Sequence, residues 1–163
     1  MPLILPSLQS ELIDVFNKGK KGNPDPNIVG IKVGKAYMNY VSAGMNAAGF
    51  PFTGMSGASQ LGTDLGDLLS KSPNTGPSHA ATYSMRVNTC LSTFLSVHQT
   101  TIITATGTSA LFQELNDIVS KPKGASSLYA TALGRALHNF TLAAMVIGVV
   151  PDTPGVPFTG PIS

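Results

Sequence analysis

The chain sets six of its carboxylates in pairs: Glu11 with Asp14, Asp64 with Asp67, and Glu114 with Asp117. Residues three apart share a helix face, so each pair has the spacing of an acid–base couple or a divalent-cation clamp. His79, His98, His138 and the single Cys90 complete the groups able to ligate a metal or attack a substrate. No histidine accompanies a carboxylate pair at ligand spacing, and the three fall at unrelated places along the chain. Cys90 and His98 are two helical turns apart, beyond the reach a nucleophile and its base require. One cysteine excludes an internal disulfide and a multi-cysteine metal site, and the apolar setting of Cys90 marks it as a core residue. The glycine-rich pieces Gly54–Gly57 and Gly62–Gly66 lack the Gly-Lys-Ser/Thr ending of a phosphate loop. No catalytic residue, cofactor or metal is expected, and the chain is expected not to be an enzyme.

The paired acids have an architectural reading instead. They belong to a segment that occurs three times, as Glu11–Lys18, Asp64–Lys71 and Glu114–Lys121. Its pattern is acid, Leu, any, Asp, aliphatic, apolar, Asn or Ser, Lys. A Thr-Gly pair follows each copy at equal intervals, at Thr53–Gly54, Thr106–Gly107 and Thr159–Gly160. Recurrence on this scale signals a repeat architecture. It accounts for all the acids except Asp25 and Asp152, which are left for other work. The motif predicts short amphipathic helices that bury Leu12, Leu65 and Leu115, and likewise Val15, Leu68 and Ile118. Ser10 is expected to cap the first helix, and the acids to lie in first turns, where the helix dipole favours negative charge. Gly62 and Gly66 make the middle helix the weakest of the three by propensity.

A turn containing Pro and Gly or Asn follows each motif, at 23–27, 72–77 and 121–124, and then a longer helix. Gly34–Tyr40 and Gly134–Phe140 resemble each other closely in that helix. The small residues Ala43, Gly44, Ala47, Ala48, Ala143 and Ala144 are expected to let helices approach. Each unit ends on a non-helical connector: Gly49–Gly54, Thr100–Gly107 and Gly155–Gly160. The middle one is β-branched and predicts a short strand. The sequence thus predicts a mainly α single domain over residues 1–163. It comprises three tandem helix-hairpin repeats (about six helices) near 8–56, 57–109 and 110–163, joined by extended or short β connectors. One hairpin cannot bury its own apolar face, so the three pack on one another.

Apolar residues make up 42% of the 163 and charged residues only 11%, against ~25% charged in ordinary domains. A surface so poor in charge is weakly solvated and suits burial among neighbours. The net charge is +2, and only Lys18, Lys20 and Lys21 cluster, so no basic face for nucleic acid is expected. The N-terminal segment lacks the positive flank of a secretory signal. The longest apolar run, Phe140–Val150, is too short to span a bilayer.

The segments Leu61–Lys71 with Thr100–Gly107, and Leu111–Lys121 with Val156–Gly160, resemble those of small virion proteins of tailed bacteriophages, which are often encoded among tail and baseplate genes. The likeness covers most of the chain as a style of repeat, without an invariant motif. It implies a structural virion part, made in the host cytoplasm and located in the particle. Its implied partners are other virion proteins and further copies of itself, with no small-molecule substrate, nucleic acid or membrane. A small helical binding or adaptor module in a cell is the alternative. The contact residues expected are Pro151, Pro154, Val156, Pro157 and Phe158 in an extended arm, Val149–Ser163, that reaches a second subunit, with Phe50 and Phe52 as their counterparts earlier in the chain.

Overall fold

The structure, a computed structural model, describes residues 3–18, 25–55, 57–71, 76–121, 125–152 and 154–163. It is mainly helical, with small antiparallel sheets. The described elements run α1 (Leu5–Lys18), α2 (Pro26–Ser42), β1 (Phe52–Met55), α3 (Ala58–Ser70), α4 (Pro77–Ser92), β2 (Phe94–Ser96), β3 (Gln99–Ile103), α5 (Ala105–Ser120), α6 (Ser126–Ala143), β4 (Met145–Val150) and β5 (Val156–Pro161). Each helix packs on its neighbours in the chain, and α6 returns to pack on α1, so the six helices close into a cycle.

The apolar stripes of the short helices make this cycle possible. Leu8 and Leu12 of α1, Leu61 and Leu65 of α3, and Leu111 and Leu115 of α5 are all buried. Val15, Leu68 and Ile118, expected inside, are half-buried against that core. The longer helices contribute Val33, Tyr37 and Val41, Tyr83, Val87 and Leu91, and Leu133, Leu137 and Phe140. Proline at the first turn starts α2 and α4, where a missing N–H leaves no bond unmade. Asp25, which sequence left unassigned, caps α2: its carboxylate accepts from the Asn27 amide at 2.9 Å.

The acids do not lie in first turns. The helices begin earlier than the motif suggests, at Leu5, Ala58 and Ala105, so no first turn carries an acid. Ser10 is accordingly within α1 and caps nothing. The first acid of each motif instead ties its helix to the next one. Asn39 donates to Glu11 at 3.1 Å, Asn139 to Glu114 at 3.1 Å, and Arg86 pairs with Asp64 at 3.3 Å. Lys71 and Lys121 reach back one turn to Asp67 and Asp117.

At the α2–α3 crossing the backbones touch. A Cβ on Gly30 would fall 2.5 Å from Gly66 Cα and 2.7 Å from Gly62 O, and one on Gly62 would fall 2.9 Å from Ile31 Cα. The glycines that weaken α3 by propensity therefore serve its packing on α2.

The connectors form a β layer at one end of the helices. β1 pairs antiparallel with β2, and β4 pairs antiparallel with both β3 and β5. Two further bonds complete it: the Met45 amide donates to Ser163 O at 2.7 Å, and the Ser163 amide to Met45 O at 3.0 Å. The β-branched run at 100–103 forms part of β3 as expected, but Thr106–Gly107 opens α5 rather than ending a connector. The boundary expected near 109 therefore falls inside a helix. Ala43, Gly44, Ala47 and Ala48 lie beyond the end of α2. They pack the β layer, Gly44 against Leu3 and Ile162, and Ala47 against Gly160.

Candidate interaction surface

The β layer gathers what the sequence singled out for partner contact. Residues 43–57, 93–104 and 144–163 contain one Asp, Glu, Lys or Arg among them, Asp152. Directly opposed residues of antiparallel strands share a face. Register therefore puts Ile102, Val146 and Gly160 in one row facing the helices, where Ile102 and Val146 are buried. The other face carries the rows Ile103–Met145–Pro161 and Thr101–Ile147–Thr159, then Val149 beside Pro157. It presents no charged side chain, and Ile103 and Val149 stand exposed on it. Leu95 and Val156, 57% and 52% exposed, extend the apolar exposure of the layer.

The expected extended arm is a hairpin folded onto its own chain. β4 and β5 pair over their full length, from Met145 with Pro161 to Val150 with Val156, and Ile162 is fully buried. Proline does not prevent this, because β5 lies at the edge of the β3–β4–β5 sheet among the described strands, and an edge strand tolerates missing donors. Four of the expected contact residues, Pro151, Pro154, Val156 and Pro157, are exposed at the turn end of this hairpin. Phe158 is half-buried opposite Gly148. A Cβ on Gly148 would meet the His98 carbonyl and the Phe158 ring, so only glycine fits there. Phe52 is a correction: it is 4% exposed and packs edge-on against Phe94 in the core, which removes it from any contact surface. Phe50 is half-buried with its ring edge-on to His98 at 5.1 Å.

One polar network, missed from sequence, holds the layer together. Asn46 is 1% exposed. Its Oδ1 accepts from the amides of Ala48 and Phe50, both at 3.0 Å, and its Nδ2 donates to Ser96 Oγ at 2.9 Å. Ser96 donates in turn to Gln99 Oε1 at 2.8 Å, and Gln99 Nε2 donates to Phe94 O at 2.9 Å. An isolated Asn in a loop gives no sequence signal for such a role. Its function appears only when β2 is brought beside residues 45–51.

The groups with chemical potential are occupied or masked. Burial pushes the Cys90 thiol up to about 12, so little thiolate forms near neutral pH. Burial likewise raises the Tyr37, Tyr40 and Tyr83 hydroxyls and lowers the imidazoles of His79 and His138. Thr141 donates to Leu137 O, which leaves its oxygen to accept from the Tyr37 hydroxyl at 2.8 Å. His98 sits in the turn between β2 and β3 at φ 64°, away from Cys90 on α4. Among the described residues, no three His, Cys, Asp or Glu side chains converge, and no helix is long and apolar enough to cross a membrane.

Comparison with known proteins finds no matching family model, no similar curated protein and no similar solved structure.

Proposed function

We propose that the protein is a non-enzymatic structural subunit of a tailed-phage virion, a tail or baseplate component built on a triplicated helix hairpin. The observation that carries the assembly role is the uncharged outer face of β3–β4–β5, on which Ile103 and Val149 stand exposed. The tail or baseplate assignment rests on the resemblance of Leu61–Lys71 and Leu111–Lys121 to phage virion proteins. Support for triplication comes from matched positions. Leu12, Leu65 and Leu115 are buried alike, as are Val33, Tyr83 and Leu133. The first motif acids engage the following helix in all three units, through Glu11–Asn39, Asp64–Arg86 and Glu114–Asn139.

The carboxylate pairs belong to this scaffold rather than to a site. Calorimetric titration with calcium, magnesium or zinc is expected to show no stoichiometric binding. One tightly bound ion per unit would overturn the non-enzymatic reading.

The assembly role is tested by co-expression with the proteins encoded by the neighbouring genes. The wild type is expected to co-purify with them. Val149→Glu, at an exposed position on that face, is expected to melt as the wild type does but to be lost from the complex. A wild-type chain that stays a monomer and joins none of these proteins would sink the proposal and favour a cellular adaptor.

A further inference from the structure

We propose that closure of the helix cycle is proton-sensitive: Tyr40 latches α2 to α6 through His138 while the imidazole is neutral, and acidification opens the seam between α6 and α1.

The seam is distinguished by connectivity. Every other contact around the cycle joins helices consecutive in the chain, whereas α6 and α1 are its first and last helices. Opening there separates no helices adjacent in sequence and breaks, besides the α1–α6 contacts, the α2–α6 bonds of Tyr37 and Tyr40, so it is the natural place for a partial opening below global unfolding. The seam is also rich in polar bonds. Gln9 donates to Thr131 O at 3.2 Å, Ser126 to Asn17 at 2.8 Å, and Tyr37 to Thr141 across α2 and α6. In the β layer the two bonds between Met45 and Ser163 close the same gap.

Within that set, the Tyr40 hydroxyl lies in a short hydrogen bond to His138 Nδ1. The imidazole tautomer that carries its proton on Nε2 accepts there. Protonation turns Nδ1 into a donor, so the bond survives only if the hydroxyl oxygen accepts instead, and the 4%-exposed Tyr40 must then find another acceptor for its proton. On α1, Glu11 is held by Asn39 and Asp14 is exposed; on α5, Glu114 is held by Asn139 and Asp117 by Lys121. Arg135, a turn earlier on α6, and Lys32 and Lys35 on α2 are exposed and of like sign to the imidazolium. Burial already lowers the His138 value below that of a free imidazole. A lowered folded value means that the closed state is favoured above ~6.5, the unfolded value, and loses ground as pH falls from there toward the folded value.

The test is amide hydrogen exchange at pH 7.5 and 5.5, corrected for intrinsic chemistry. Between these, the opening of Met45 and Ser163 is expected to rise, by at most about tenfold because pH 5.5 lies one unit below the unfolded value, while amides of α3 stay unchanged. His138→Gln keeps an acceptor for Tyr40 without a proton to gain, and is expected to abolish the rise; His79→Gln is expected to leave it. NMR titration of His138 in the wild type supplies a second reading, with a midpoint below ~6.5 that tracks seam opening. An unchanged rise in His138→Gln, a His138 midpoint at or above the free value, or equal acceleration throughout the molecule would overturn the proposal.

Discussion

Between α2 and α3 the backbones touch through Gly30, Gly62 and Gly66, whereas between α6 and α1 they are held apart by side chains. There Gly134 meets Gln9 and Leu12, and Phe16 packs edge-on against Tyr129 at 4.9 Å. The first seam joins helices linked through residues 43–57, which include β1, and its backbone contact leaves no room for adjustment. The second joins the two ends of the helix series and is made of groups that can rotate. Interiors packed at crystal-like density transmit strain, while contacts through flexible side-chain ends absorb it. The same fold thus has one rigid seam and one adaptable seam, and substitutions at matched positions should tell them apart.

The largest effects should come from the buried leucines. Leu65→Ala removes a fully buried side chain beside the glycine crossing, where rigid backbones cannot collapse into the space. Leu12→Ala leaves its cavity next to Gly134 and Gln9, which can move in. Both are expected to cost ~2–5 kcal/mol, with Leu65→Ala toward the upper end and Leu12→Ala toward the lower. Urea unfolding of the pair measures this, and the reverse order would contradict the assignment of the rigid seam.

Adding a methyl probes the same contrast from the other side. Gly30→Ala pushes Cβ into Gly66 Cα and Gly62 O, which belong to a helix backbone, and should cost ~1–3 kcal/mol. Gly134→Ala meets Gln9 Cγ at 2.9 Å, a side-chain atom that a change of χ1 displaces, while the nearest backbone atom, Gln9 Cα, lies at an ordinary 3.5 Å. Alanine is also the better helix former by ~1 kcal/mol, so this substitution is expected to be near neutral. Equal losses at both sites, by thermal melting, would mean that the two seams are equally rigid.

These contrasts mark what the sequence could and could not convey. Leu8, Leu12, Leu61, Leu65, Leu111 and Leu115 are legible because a 3.6-residue period survives in the letters. The helix starts are not, since tertiary burial of Leu8 extends α1 ahead of the Ser10 that looks like a cap. Gly62 and Gly66 read as weakness because propensity describes a helix alone, whereas their role depends on Gly30, which lies far off in sequence. Strand pairing between Met45 and Ser163, or between β4 and a proline-bearing β5, is a long-range choice with no local signature. Of the candidate surface, the exposure of Pro151, Pro154, Val156 and Pro157 agrees with the sequence reading, but they belong to the turn end of a hairpin rather than to an extended arm. The burial of Phe52 was not legible, because Phe94 lies across a strand pair that the sequence does not announce.

A smaller effect should separate the buried from the exposed bonds of the adaptable seam. Tyr37→Phe deletes the hydroxyl that donates to Thr141 but leaves no orphan, because Thr141 still donates to Leu137 O. The expected loss is ~0.5–1.5 kcal/mol, that of a net hydrogen bond.

The smallest effect is expected at the rim of that seam. Gln9 Nε2 donates to Thr131 O and Ser126 Oγ donates to Asn17, both in exposed positions where water replaces a lost partner. Gln9→Met keeps the Cγ that packs on Gly134 and removes only the amide, and Ser126→Ala removes only the hydroxyl. Each should change stability by less than ~0.5 kcal/mol, as surface substitutions do, and the double variant should be additive because the two bonds share no partner. If these rim changes instead matched or exceeded Tyr37→Phe in chemical denaturation, the adaptable seam would be closed by its exposed bonds. Leu12, Tyr37 and Tyr40 would then be filling space rather than deciding closure. The expected ranking (leucine, then glycine, then buried hydroxyl, then rim) ties each loss to how completely water and neighbouring atoms can replace what was removed.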